Sequence, residues 1–275
     1  MGRLIELCAT IAFIAFLVFM TNAQGFEKPV VSFMPENLLH LEDGLFESNV
    51  SEARFNHIID LGESYYKPIA KKLGYNLVIK GNWNDSTVNA YARQVGNVME
   101  VNMFGGLARR PEVTEEGFVL VLCHEIGHHL AGFPTYSDVG GKWAATEGNS
   151  DFYATAACAK KILWGTAVPE PDKDIEVYCS KAKDPYQCYS GFLGAISLSR
   201  LLGSLNGEKS SIIDRDPKVV RKTIESYPSV QCRLDTYIAG ILCETKWNNS
   251  LIPKNRDEMR SISCDTRPRC WYSPK

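Results

Sequence analysis

F-V-L-V-L-C-H-E-I-G-H-H-L, residues Phe118 to Leu130, is the most informative stretch of this sequence. On a helix, His124 and His128 are four residues apart and share one face, so their imidazoles can bind one Zn²⁺. Glu125 follows on the same surface, where its carboxylate can reach a metal-bound water and act as general base. The pattern is the H-E-x-x-H arrangement of zinc hydrolases. His129 points ~100° away from His128, which predicts a supporting or surface residue rather than a ligand.

The residues around this motif favour a helix. Phe118 to Leu122 is apolar, Thr114 can cap the first turn that holds Glu115 and Glu116, and Gly132 can end the helix. The alternative is a pair of buried histidines in an ordinary core helix. Burying two histidines and a glutamate without a metal or other partners would cost free energy, which favours the metal site.

The composition is that of a globular protein. The chain has 275 residues, 45% of them hydrophobic and 23% charged, with a formal net charge of −2. This length can bury one substantial core, so we expect a single domain over residues 26–275. The charge argues against a nucleic-acid partner held through its phosphates.

The N-terminus resembles a secretory signal peptide over residues 1–25. Arg3 supplies a positive start, Leu4 to Met20 is largely apolar, and Ala23 and Gly25 offer cleavage sites. The alternative is a retained membrane anchor, since the apolar run is near the lower length limit for a span. Either reading predicts an exported domain, secreted or periplasmic, with no membrane span after residue 25.

The cysteines agree with export. Cys8 lies in the predicted signal, which leaves eight cysteines for four disulfides in an oxidising compartment: Cys123, Cys158, Cys179, Cys188, Cys232, Cys243, Cys264 and Cys270. Cys232 and Cys243 would be ~16 Å apart on one helix, too far to bond each other. Cys264 and Cys270 are the natural partners that would attach a tail, residues 245–275, to that helix. Cys179 with Cys188 is a plausible local pair.

Hydrophobic periodicity predicts an α+β fold with a small antiparallel or mixed sheet and a mainly helical C-terminal half. The predicted elements are a helix from a capping box at Asn49 to Gly74, strands over 75–80, 87–93 and 97–104, and helices over 144–163, 191–205 and 217–244, the last interrupted at Tyr227 and Pro228. The last two strands form a hairpin at Gly96, and strand 97–104 alternates as a half-buried strand does. Residues 165–190 are predicted to form a loop or lid.

Two acidic residues can complete the metal site. Glu147 and Asp151 are four apart and share a face of the predicted helix. Glu147 lies 19 residues after His128, a workable distance for a third ligand on a returning helix. Asp151 can then accept the free ring N–H of a zinc-bound histidine. The alternative is a solvent-facing acidic pair.

Four blocks together resemble the gluzincins of the CAAX prenyl protease and HtpX type, over roughly residues 50–240. The blocks are V-N-A-Y-A (Val88 to Ala92) with V-M-E-V-N-M-F-G-G-L-A-R (Val98 to Arg109), H-E-I-G-H-H-L, E-G-N-S-D (Glu147 to Asp151) and S-Y-P-S-V-Q-C-R-L (Ser226 to Leu234). The resemblance implies a zincin-like metallopeptidase fold. It also implies one zinc held by His124, His128 and Glu147, with Glu125 as general base and acid.

The same resemblance assigns supporting roles. Asn89 would hold the substrate main chain and Arg233 would brace the site. Where the family commonly has a histidine before the proline, this chain has Tyr227. Two readings of Tyr227 remain: its phenol stabilises the oxyanion, or it only packs before Pro228.

The predicted function is hydrolysis of peptide bonds in a peptide or protein substrate. The substrate would add a strand along an exposed edge formed by Val98, Met99, Glu100, Val101 and Asn102. An alternative is a catalytically weak extracytoplasmic binding or chaperone-like protein that retains a structural zinc site. Glu125 favours the enzyme, because a structural site does not need a carboxylate that is not a ligand.

Overall fold

The computed structural model describes residues 29–44, 48–139, 142–163 and 172–274. The predicted signal peptide, residues 1–25, lies outside these ranges. A main hydrophobic core runs through the described chain from Phe33 to Ile262. The fold is α+β, as the sequence predicts.

A small mixed sheet forms the N-terminal part of the fold. Its strands are β1 (Val30–Ser32), β2 (Asn76–Asn82), β3 (Ala90–Val95) and β4 (Val98–Phe104), in the order β1-β3-β4-β2. β3 and β4 form the predicted antiparallel hairpin, and Gly96 has the positive φ of 62° that this tight turn uses. β2 runs parallel to β4, and β1 runs antiparallel to β3.

The predicted substrate-binding edge on Val98, Met99, Glu100, Val101 and Asn102 is wrong. β4 is an interior strand whose backbone is paired with β3 on one side and β2 on the other, so no edge is left for a substrate. The half-buried pattern is wrong as well, because Glu100 and Asn102 are only 7% exposed. Glu100 is held there by ion pairs with Lys80 and Arg93, each at 2.7 Å.

Nine helices form the regular structure of the remaining described chain. They are α1 (Glu52–Lys72), α2 (Gly105–Ala108), α3 (Glu115–Leu130), α4 (Glu147–Tyr153), α5 (Ala159–Ile162), α6 (Lys173–Cys179), α7 (Pro185–Asn206), α8 (Val230–Ile241) and α9 (Arg256–Ile262). A π-helical turn, Ala154–Cys158, joins α4 to α5. Within the described ranges, no helix combines the length and apolar character needed to cross a membrane.

Several predicted element boundaries differ from those in the structure. Ser51, not Asn49, caps α1 by accepting a hydrogen bond from the Arg54 N–H. The predicted loop 165–190 is described from residue 172 onward. In this part α6 and the first turns of α7 are helical, and residues 180–184 form the turn between them. The predicted helix over 217–244 is helical only in α8, because Pro228 and the residues before it make an irregular segment that packs beside the C-terminal tail.

α3 is the central helix. Thr114 caps it as predicted, and every residue from Gly117 to Leu130 is buried. Small residues allow α7 to pack closely on it: a Cβ on Gly117 would lie 2.2 Å from Ser197 Oγ. A helix that is buried on all sides holds its polar side chains away from water, which is the setting of His124 and its neighbours.

Four disulfides hold the helical half together: Cys123–Cys158, Cys179–Cys188, Cys232–Cys270 and Cys243–Cys264. The predicted local pair and the predicted attachment of the tail to α8 are both confirmed. Disulfides persist in oxidising compartments, so the four bonds suggest an extracytoplasmic environment.

Candidate metal centre

Three side chains from two helices meet in the interior of the protein. His124 and His128 come from α3, and Glu147 opens α4, with one ligand atom of each lying within 4.8 Å of the others. All three side chains have 0% exposure. The structure thus brings together the three residues that the sequence predicts as metal ligands, and the group can hold a metal ion.

Three polar atoms of this group face one another without hydrogen bonds in the described structure. His124 Nε2 lies 3.3 Å from Glu147 Oε2, and His128 Nε2 lies 3.7 Å from Glu147 Oε1. Neither Nε2 atom nor Glu147 Oε2 has a hydrogen-bond partner in the described structure. Buried polar atoms normally have partners. Two imidazole nitrogens and a carboxylate oxygen are a donor set for a divalent metal, so the residues present fit such an ion.

Hydrogen bonds on the far side of each ring fix the histidines. His124 Nδ1 lies 2.8 Å from Asp151 Oδ1, and His128 Nδ1 lies 2.8 Å from the Ala145 carbonyl oxygen and 3.0 Å from Ser150 Oγ. A ring that donates its Nδ1–H in this way presents the Nε2 lone pair to the centre of the group. Asp151 therefore lies where the sequence predicts it, against His124.

Asp151 is itself held by two groups on α8. Arg233 donates from Nε and Nη2, and Tyr237 donates its hydroxyl at 2.6 Å. Burial alone would raise the pKa of Asp151, but the charges of Arg233 and His124 hold it well below its usual range. Arg233 thus braces the centre through a carboxylate. No sequence-based expectation falls on Tyr237, although its position four residues after Arg233 on a predicted helix places both residues on one face.

Glu125 is the carboxylate beside the group. It is 0% exposed, neither carboxylate oxygen has a hydrogen-bond partner among the described residues, and burial raises its pKa to about 8. Burial lowers the pKa of His128 to about 3. Burial would also lower the pKa of His124, but the charge of Asp151 and its hydrogen bond outweigh burial and raise this pKa to about 9. Burial therefore favours a protonated Glu125, and the Asp151 carboxylate favours a protonated His124.

His129 lies outside the group, as its direction on the helix predicts. Its ring stacks on Trp143 with centroids 4.8 Å apart, and Nε2 lies 3.1 Å from the Glu100 carbonyl oxygen. The residue joins α3 to the interior strand β4.

Tyr136 contacts the group although no local sequence pattern points to it. Its hydroxyl donates to Glu147 Oε1 at 2.6 Å from the loop after α3. That contact leaves Oε2 as the carboxylate oxygen without a partner. Tyr136 therefore orients Glu147.

Tyr227 and Asn89 both contact the N-terminal segment of the described chain. The Tyr227 hydroxyl donates to the Ser32 carbonyl oxygen at 2.9 Å. The Asn89 side chain accepts from Met34 N–H at 3.4 Å and donates to the Met34 carbonyl oxygen at 3.2 Å. Both residues therefore bind peptide groups of the main chain.

No protein-family model matches this chain, and no curated protein or solved structure matches it either. The resemblance to the prenyl protease family accordingly depends on the sequence motifs alone.

Proposed function

We propose that this protein is an exported zinc-dependent endopeptidase. The observation that carries the proposal is the group of buried, unpartnered ligand atoms on His124, His128 and Glu147, with the Glu125 carboxylate beside it. Three protein ligands leave one position of a tetrahedral zinc site for water, the composition of a catalytic site. We infer zinc from this donor set, since two imidazoles and one carboxylate are the ligands of known zinc peptidases.

Zinc bound there would lower the pKa of a water towards ~7 and polarise the scissile carbonyl. Glu125 accepts the proton of the attacking water and later delivers it to the leaving amine. Burial raises the pKa of Glu125 to about 8, and a nearby cation would lower it. Asp151 and Arg233 keep His124 in its orientation during these steps.

Tyr227 is the proposed donor to the oxyanion. Its hydroxyl already donates to a main-chain carbonyl oxygen, that of Ser32, so its position suits a peptide group. In the transition state the same hydroxyl would stabilise the developing negative charge on the scissile oxygen.

A second candidate function is supported by the burial of the site. His124, Glu125, His128 and Glu147 have 0% exposure, as is usual for a structural metal site in a binding or chaperone-like protein. The unpartnered Glu125 favours the enzyme, because a structural site gains nothing from a buried carboxylate that is not a ligand.

Metal analysis combined with a cleavage assay tests the proposal. We expect the purified protein to carry about one zinc per chain and to cleave an unfolded test protein, with activity lost in chelator and restored by zinc. Bound zinc with no cleavage, even after release of the N-terminal residues 30–34 that Tyr227 and Asn89 contact, would favour the structural role. A chain that binds no zinc after reconstitution would refute both functions.

A further inference from the structure

The N-terminal segment Val30–Met34 covers the metal centre. Phe33 is 0% exposed and Met34 is 2% exposed. The Phe33 ring meets the His124 ring edge to face, with centroids 5.4 Å apart, and the Arg233 guanidinium lies over it at 4.7 Å. An outside peptide could therefore take the place of Phe33 beside His124 only after this segment moved.

The main chain of the segment is held as an extended peptide. Val30–Ser32 pairs antiparallel with β3, and the Phe33 N–H continues the pairing by donating to the Ala90 carbonyl oxygen at 3.1 Å. The segment thus covers the outer edge of β3, which would otherwise be an open edge of the sheet. An open edge of this kind binds extended peptides by main-chain hydrogen bonds.

Three proposed active-site side chains bind peptide groups of this segment. Tyr227 donates to the Ser32 carbonyl oxygen, Arg233 Nη1 donates to the Phe33 carbonyl oxygen at 2.8 Å, and Asn89 contacts both polar groups of Met34. The carbonyl oxygens of Ser32 and Phe33 are therefore held by the proposed oxyanion donor, Tyr227, and by Arg233, which also binds Asp151.

We propose that Val30–Met34 occupies the substrate cleft of this protein as an internal substitute for substrate, and that the cleft binds an extended peptide with an aromatic side chain at the position of Phe33. The proposal rests on the proposed peptidase function. The substrate would then bind along the edge of β3 instead of β4, and the described structure would be a latent form of the peptidase. Arg233 then has a second role, because it contacts the substrate main chain as well as Asp151.

The side chains of the segment indicate the preferred substrate. The Phe33 ring is enclosed between an imidazole and a guanidinium, both of which pack well on an aromatic face or edge. Leu38, a few residues later, is 93% exposed. Recognition should therefore depend strongly on the aromatic residue and weakly on Leu38.

The test releases the segment after the full chain has folded. A recognition sequence for a site-specific protease is inserted at Leu38 in a Glu125→Gln chain, which cannot hydrolyse the probe, and the freed fragment is removed by gel filtration. The probe is a fluorescent peptide with the sequence of residues 29–37, P-V-V-S-F-M-P-E-N, and its binding is followed by anisotropy. We expect the cut chain to bind the probe at least ~10-fold more tightly than the uncut chain, as removal of an internal competitor predicts.

Two controls define the outcome. A probe carrying Phe33→Ala should bind the cut chain at least ~10-fold more weakly, since it lacks the aromatic contact, whereas a probe extended to Leu38 should bind like the original. Equal binding to cut and uncut chains, or no binding to a cut chain with an unchanged melting temperature, would overturn the proposal. If cutting lowers the melting temperature, the experiment uses the uncut chain with Phe33→Ala in place of the cut chain, and Leu38→Ala is the matched control. Unchanged probe binding in the Phe33→Ala chain would also overturn the proposal.

Failure of the two proposals can be told apart. Probe binding uses no hydrolysis, so it can succeed in a protein that is not a peptidase. Zinc-dependent cleavage by a chain that retains Glu125 can likewise succeed when the probe does not bind.

Discussion

Arg233 binds Asp151 through two hydrogen bonds, from Nε to Oδ2 at 2.7 Å and from Nη2 to Oδ1 at 2.8 Å. The same carboxylate contacts the ring of His124, so a residue of α8 helps to set the orientation of a predicted metal ligand on α3. Arg233 and Asp151 are 82 positions apart in sequence. They meet because α4, which carries Asp151, packs against α8, which carries Arg233.

Asp151→Asn should weaken both the metal centre and the fold. The change removes a charge that orients His124, and losses of this kind typically reduce metal affinity by about 10 to 100-fold. It also leaves the buried Arg233 cation without its partner, which costs about 3 to 5 kcal/mol of unfolding free energy. Chelator competition and urea unfolding measure the two effects. The exposed Asp138→Asn is the control, and an Asp151→Asn protein with wild-type metal affinity would contradict the bracing role.

Glu147→Ala should release the metal under mild chelation. Glu147 is one of the three converging candidate ligands. Glu116→Ala, two turns before His124 on α3, serves as a control that should retain the metal. Metal content after dialysis against a weak chelator distinguishes them. Greater metal loss in Asp151→Asn than in Glu147→Ala would mean that the two roles are reversed.

Glu125→Gln should retain the metal and the fold while losing nearly all hydrolysis. Glutamine has almost the same shape but cannot accept a proton, so general base catalysis worth about 10² to 10⁴-fold is lost. Zinc content, melting temperature and kcat/KM on an unfolded protein are measured together. Turnover within about tenfold of wild type would remove Glu125 from this role.

Tyr227→Phe should lower kcat by about 10² to 10³-fold, the usual cost of removing one oxyanion donor. KM and zinc content should change little, because the hydroxyl is needed mainly in the transition state. The assay uses a chain from which Val30–Met34 has been released, so that loss of the bond to Ser32 does not affect the result. Tyr136→Phe is the comparison, because its hydroxyl contacts Glu147 and its loss should weaken metal retention. An unchanged kcat in Tyr227→Phe would leave Tyr227 as a packing residue before Pro228.

Gly148→Ala should displace α4 and thereby disturb the metal centre. A Cβ at this position would lie 2.3 Å from the Trp271 ring, which the Cys232–Cys270 disulfide holds under α4. Overpacking of this kind costs about 1 to 3 kcal/mol of unfolding free energy, and the shift of α4 should move Glu147 and weaken metal binding. In Gly62→Ala the new Cβ would meet side-chain methyl groups of Leu122 and Ile79, so this control should lose less stability and keep its metal affinity.

Several features of the centre were predictable because they depend on local geometry. The spacing of His124 and His128, and that of Glu147 and Asp151, places each pair on one face of a helix in any fold. The Thr114 cap was readable for the same reason, since a cap involves residues three positions apart. Helical rise also excluded a bond between Cys232 and Cys243. The structure has all of these features.

The sequence by itself therefore determined the α+β class, the central helix and the group of residues able to hold a metal. Only the tertiary structure decided which strand lies at the edge of the sheet and what covers the centre. β4 became an interior strand because β2 pairs with it in parallel, and Ser32 meets Tyr227 across 195 positions. Periodicity along the chain reports which face of an element is buried, but it carries no information about which distant segment buries that face.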